Sequence, residues 1–303
     1  MGRRGKQLRW GPQFLRHFIQ ILLAALAPLD QQVLSSYFDE LDFDWGTGCS
    51  GSESCSQAFN AISAGLLQHG CSARFHHIFA AEIDPRKRQF ILQTCRPLPA
   101  YLFGDIFDLS RSSGHCYVHN HEVPMATVHG IHRLMCLLAG FSCTTVSGVR
   151  ADKEERRSCV DDSSGATGLT FAACLLILST VRPLLCILEN VVGLKAYDQD
   201  LVCVRKLRWA GYFVHVFDMN SLEFKVPQSR RRLYFVCFRM DWPPFAAAGT
   251  QELERAVMEI MASFKAAFHE MPLMDIDDFL MPETCATCAS WADGDIASQR
   301  YPD

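Results

Sequence analysis

The sequence predicts an α/β fold in which a parallel sheet is covered by helices. Three observations carry that prediction. Strand-like apolar segments alternate with helical ones, first as FHHIFAAEID, PRKRQFILQTC and AYLFGD over residues 75–105, and again beyond residue 165. A small-residue loop, GTGCSGSES at 46–54, stands directly before a helical pattern. The segment after it ends on Glu82 and Asp84, and the tip of the second strand of a doubly wound sheet is where a ribose hydroxyl pair is commonly bound.

Composition sets the outer limits. With 303 residues, 49% hydrophobic and 20% charged, the chain suits one large domain or two small ones. No apolar run is long enough to span a bilayer, so no membrane partner is expected. The apolar piece FIQILLAALAPL, 18–29, follows a basic start and reads either as an amphipathic helix or as a targeting segment interrupted by Gln20. Fourteen cysteines without regular spacing point to free thiols in a reducing compartment, nucleus or cytoplasm, with organelle targeting by the N-terminus left open. A net charge of -4 excludes a generally basic surface, so a nucleic-acid site has to be a local patch.

In chain order, an acidic segment, SSYFDELDFDW, leads into the small-residue loop with Gly46, Gly48 and Gly51. That loop reads either as a cradle for a nucleotide-like ligand or as a plain turn. A helix from Cys55 to His69 has Phe59, Ile62 and Leu66 on its apolar face. The third strand-like segment ends at Gly104, Asp105 and Ile106. Residues 110–132 look irregular; His119 and His121 would share a face of an extended chain, as a metal pair or simply within a solvated insertion.

Next comes an apolar run, Leu134 to Leu138, that turns small and polar through Ser142, Cys143 and Thr144. A cysteine at a strand's carboxyl end is placed as a nucleophile would be, although most cysteines are small buried hydrophobes. The charged stretch 149–168 reads as an exposed mobile loop. A helix from Thr170 to Val181 precedes the strand PLLCILENVVG, where Glu189 serves as a proton donor or caps the following helix. Helix Gln199 to Trp209 and strand YFVHVFDMN lead to VPQSRRRLYFVCF, in which Arg230 and Arg232 point the same way, as an anion clamp or as solvated charge. WPPFAAAGT reads as a linker, 252–270 as an amphipathic helix, and the pair Cys285 and Cys288 as incidental.

These motifs resemble, in order, those of the cytosine-5 DNA methyltransferases. GFSCTTVSG at 140–148 is similar to the family's GFPCQxFSxxG, ENV at 189–191 to its acidic motif, and VPQSRRRLYFV to its GVPQxRxR motif and following strand. The resemblance spans roughly Thr47 to Phe238. It implies a Rossmann-like methyltransferase fold whose last strand, near Leu233 to Phe238, is antiparallel, and it implies S-adenosylmethionine as cofactor, held at Gly51, Glu82, Ile83, Asp105 and Ile106. It further implies that Cys143 adds to ring carbon 6 of a flipped cytosine, making carbon 5 nucleophilic. Glu189 would protonate ring nitrogen 3, Arg232 would steady the thiolate and ring carbonyl, and Arg230 and Gln228 would support them. DNA is the implied substrate, with RNA as the alternative.

The departures are Ser142 and Thr144, where the family has Pro and Gln around the cysteine, and Glu53 and Ser54 in the glycine loop. The expected organisation is an N-terminal helical extension to residue 40, a catalytic domain over 41–240 and a C-terminal helical tail. The tail carries no Asn-Ser motif of the kind that closes the family's cofactor pocket. It is therefore read as truncated, as completed from elsewhere, or as part of a catalytically impaired remnant that binds cofactor or a partner.

Overall fold

The computed structural model describes residues 38–131, 134–146 and 159–269. The N-terminal segment 18–29, most of the charged loop after Cys143, and the pair Cys285 and Cys288 lie outside the described residues.

Seven strands form one sheet: β1 (Asp42–Gly48), β2 (Arg74–Ala81), β3 (Tyr101–Phe103), β6 (Cys136–Gly140), β7 (Leu185–Val191), β8 (Tyr212–Asn220) and β9 (Arg231–Arg239). Their spatial order is β3-β2-β1-β6-β7-β9-β8. All neighbouring pairs are parallel except those made by β9, which runs antiparallel between β7 and β8. The expected reversal of the last strand is present, and that strand lies inside the sheet rather than at its edge.

The order reverses between β1 and β6, the strands that leave in opposite lateral directions. A crevice opens at such a switch point beyond the strands' carboxyl ends. Here Gly48 at the end of β1 pairs with Ala139 near the end of β6, so the loops that follow emerge side by side.

Strand β1 is absent from the sequence reading, which took 35–45 as an acidic segment and placed Gly46 and Gly48 in a loop. The acid sits only at the strand's exposed start. Asp42 pairs there with Arg74 of β2, at 2.7 and 3.0 Å, and with His76 at 3.1 Å. Further along, Trp45 is buried and stacks on His77 at 3.8 Å between ring centres.

The helices α1 (Ser54–Gln68), α2 (Pro85–Thr94), α3 (Met125–Ile131), α4 (Gly165–Thr180), α5 (Gln199–Trp209) and α6 (Pro243–His269) cover the sheet. Helix α4 starts five residues earlier than the sequence reading placed it and is apolar over most of its surface. Phe171, Cys174, Ile177 and Leu178 are sealed in the main core with Phe79 and Leu137 of the sheet. Burial of this kind is the dominant favourable contribution to folding. On the opposite face Ile91 of α2 packs with Ala80 and Leu102.

Two further expectations are corrected. Residues 110–132 contain a β-hairpin, β4 (Ser113–Cys116) with β5 (His121–Pro124), rather than an irregular insertion. His119 Nδ1 lies 3.2 Å from Cys116 Sγ, and His121 Nδ1 lies 3.1 Å from the His119 carbonyl. Among the described residues no three His, Cys, Asp or Glu side chains gather as a metal site would require. The stretch WPPFAAAGT is helical from Pro243, with Gly249 (φ 73°, ψ 172°) breaking α6 before its amphipathic part. That part is docked on the sheet domain: Phe268 meets Phe224 edge-on, and Lys265 pairs with Glu223 at 2.7 Å. Among the described residues, no helix is long and apolar enough to cross a membrane.

Candidate active site

The turn carrying Cys143 leaves β6 after Gly140, whose partner in the neighbouring strand is Glu189. Cys143 is half-buried, and its carbonyl accepts from the Val146 N–H at 3.1 Å, closing the turn. Asn190, 1% exposed, donates from its amide to the carbonyls of Phe141 at 2.9 Å and Ser142 at 3.3 Å. It ties the residues before the cysteine to the tip of β7. Sequence reasoning quoted Asn190 only within a motif; the signal for its role is a polar residue in an otherwise apolar strand.

Ser142 has a backbone N–H that a proline would lack, and the hydroxyl of Thr170 on α4 accepts it at 2.9 Å. The Ser142 and Thr144 hydroxyls lie 3.1 Å apart. Thr145 and Thr167 exchange bonds, each backbone N–H reaching the other's hydroxyl at 3.2 and 3.3 Å. The Ser142 backbone N–H and Thr145 thus hold the turn onto α4, while the Ser142 and Thr144 hydroxyls bond within the turn.

Glu189 does not cap the helical turn that follows, whose N-cap is Val191. Its carboxylate Oε1 accepts from Arg232 Nε at 2.8 Å and has Arg230 Nη2 at 3.9 Å. Arg231 points to the other face and binds Asp218 at 2.6 and 2.8 Å. The alternation follows from strand geometry, and the antiparallel direction of β9 brings its first residues to the rim where β7 ends, with Arg232 opposite Val191. Tyr234 stands directly opposite Glu189, and burial raises its phenol above the usual range. Gln228 is exposed and enters the arrangement through its backbone, its carbonyl accepting from the Ser221 hydroxyl.

The second half of the rim is the loop after β1. Gly51 (φ 60°) donates its N–H to Glu82 Oε2 at 2.6 Å, and Asp84 N–H binds the other Glu82 oxygen at 2.9 Å. Asp105 accepts from Phe107 N–H at 3.1 Å. Cys49 lies close enough to both carboxylates that, with burial as the larger cause, its thiol is pushed up to about 12. Glu82 follows β2 and Asp105 follows the adjacent β3, and the Glu82 N–H bonds the Phe103 carbonyl at 3.1 Å, so the two acids leave the sheet side by side. Ile83 is 73% exposed beside Glu82, whereas Ile106 is 5% exposed. Ile106 fills the space over Gly48, where a Cβ would lie 2.7 Å from its Cδ1.

A sheet with this strand order, reversed only at β9, is the architecture of the Rossmann-like methyltransferases that use S-adenosylmethionine. Within that class the chain belongs to the C-5 cytosine-specific DNA methylase family, whose model matches residues 57–278. It is 29% identical over 189 residues to the DNA (cytosine-5-)-methyltransferase DMT5 of Cryptococcus neoformans var. grubii, covering 62% of this chain and 7% of that protein. It is 28% identical over 187 residues to the type II methyltransferase M.NgoBI of Neisseria gonorrhoeae, covering 60% of this chain and 48% of that one. Among solved structures, the S. pombe Dnmt2 methyltransferase superposes with a TM-score of 0.43 at 18% identity, over 65% of this chain and 49% of that one. The chain thus spans about half the length of M.NgoBI and a small part of DMT5.

Proposed function

We propose that this protein transfers a methyl group from S-adenosylmethionine to carbon 5 of cytosine in DNA, through a covalent adduct on Cys143. The observation that carries the reading is the convergence on one sheet rim of the Cys143 turn, the Glu189 and Arg232 pair, and the Gly51 and Glu82 loop.

The residues suit the cofactor. A Cβ on Gly51 would meet nothing within 4 Å, so the turn faces open space, and exposed Ile83 offers an apolar surface beside it. Glu82 accepts two backbone N–H groups and keeps lone pairs for a ribose hydroxyl pair. The bound cofactor supplies an electrophilic sulfonium methyl.

The protein's own contribution is to make a poor carbon nucleophile reactive. Cys143 sulfur bonds to ring carbon 6, and the ring electrons move to carbon 5, which then takes the methyl group. Glu189 delivers a proton to ring nitrogen 3 as the adduct forms, and Arg232 holds that carboxyl in place. Loss of the carbon 5 proton to water, return of the nitrogen 3 proton to Glu189 and departure of the sulfur as thiolate restore the aromatic ring and free the cysteine. Gln228 and Arg230 support the pocket from the arm before β9. Such chemistry requires the base to leave the helix stack. A nuclear or cytoplasmic setting accords with twelve free cysteines among the described residues.

Trapping on a duplex carrying 5-fluorocytosine tests the proposal, because fluorine at carbon 5 blocks the release step. The expected result is an S-adenosylmethionine-dependent covalent complex, absent in Cys143→Ala. Equal trapping by that variant, or none by the native chain, would overturn it. Running transfer RNA in a methylation assay beside the same duplex with ordinary cytosine decides between the two polymers.

A further inference from the structure

The turn after β1 bends in an unusual way. Cys49 (φ 53°), Gly51 (φ 60°) and Glu53 (φ 56°) all have left-handed backbone, although only glycine adopts it freely. Such a run persists only where the surroundings over-determine it. The turn is also underlain by a buried acid. Glu53 is 1% exposed, and its Oε1 has no hydrogen-bond partner; it faces the equally unpartnered Nε2 of His77 at 4.0 Å. A half-satisfied buried carboxylate beneath a strained turn is unfavourable for the fold alone.

Its other oxygen shows what it does. Thr47 Oγ1 donates to Glu53 Oε2 at 2.8 Å and lies 2.7 Å from Ser50 Oγ. Ser50 is clasped to the end of β2: its N–H and hydroxyl reach the Ala81 carbonyl at 3.0 and 3.1 Å, and Ala81 N–H returns a bond to the hydroxyl at 3.1 Å. The next residue on each side completes the link, as Gly51 N–H grips Glu82.

We propose that Glu53 is a positioning residue of the cofactor site, its carboxylate setting the turn, through Thr47 and Ser50, so that Gly51 holds Glu82 in the orientation that meets the ribose. The inference rests on the reading of Glu82 as a cofactor ligand. It assigns a purpose to one of the two residues at which this glycine loop departs from the family's usual sequence.

Two measurements on the full chain separate the inference from the reading beneath it. The first needs no cofactor: amide hydrogen exchange at residues 49–53 is expected to quicken roughly tenfold in Glu53→Ala and in Thr47→Val, and to stay near native in Glu53→Gln. The second is calorimetric titration with S-adenosylmethionine. Glu53→Ala is expected to raise Kd about tenfold, Glu53→Gln by less than about threefold, and Glu82→Ala by more than about tenfold. The double variant is expected to bind no more weakly than Glu82→Ala alone, since a residue acting through Glu82 has nothing left to act on. Thr47→Val keeps the test decisive if Glu53→Ala does not fold.

Native exchange rates in the folded variants would overturn the proposal, as would losses that add in the double variant. Quickened exchange together with native affinity in Glu82→Ala would instead overturn the reading of Glu82.

Discussion

Glu53 and His77 are buried side by side, and burial acts on their titrations in opposite directions. It raises Glu53 from an ordinary 4.5 to about 7 and lowers His77 from 6.5 to about 3. The groups facing them are Thr47 from β1, Ser50 from the turn, Glu82 just after β2, and Cys55 and Ser56 from α1. A raised carboxyl contributes stability that is full below 4.5 and is lost as pH rises through 7. A lowered histidine contributes stability present above 6.5 and lost as pH falls towards 3. Between 4.5 and 6.5 the two slopes cancel. Glu53→Gln removes one of them, so the variant is expected to gain on the native chain by roughly 2–3 kcal/mol across that window. Urea denaturation at stepped pH reads the difference, and parallel profiles would refute it.

At the scale of elements, the Cys143 turn is held from outside rather than by its own chain. Thr170 and Thr167 of α4 reach it from one side and Asn190 of β7 from another. Gly193, just past β7, lets Val146 come close: a Cβ there would lie 2.3 Å from the Val146 carbonyl oxygen. Gly193→Ala must therefore push the end of the turn outwards. The expected outcome is adduct formation slowed by about 10- to 100-fold, with cofactor affinity within about twofold, because misplacing reacting atoms by a fraction of an ångström weakens only the covalent step. Single-turnover trapping and calorimetry on the same preparation check the split.

The whole molecule shows which parts of such a design are legible in a chain of letters. The placement of Cys143, Glu189 and Arg232 at strand ends was readable because the first two stand where an apolar run ends and the third where one begins, and the structure brings their three segments to one rim. Strand β9 was readable from its apolar run after the arginines. Strand β1 was not, because its exposed half is acidic and answered by Arg74 and His76 on a neighbour 32 residues or more away in sequence. The β4 and β5 hairpin was hidden by histidines. The roles of Thr170 and Glu53 were invisible for a similar reason: each depends on a partner brought near by the fold, and no periodicity records that.

The direction of β9 has one more consequence, and it concerns tolerance to deletion. The three arginines alternate in parity along the strand, with positions 230 and 232 towards Glu189 and 231 towards Asp218. Loss of any one codon from this run yields the same protein, with arginine still at the two positions nearest the strand. Both short ion pairs survive, while the outer guanidinium, 3.9 Å from Glu189, is lost and Gln228 and Ser229 each move one position towards the strand. A chain lacking one arginine is thus expected to lose less in 5-fluorocytosine trapping than Arg232→Met, which loses at least about tenfold by removing the short ion pair to Glu189. The repeated arginine preserves the two ion pairs of this corner through a slip of one residue, which elsewhere in a sheet would turn every side chain to the wrong face.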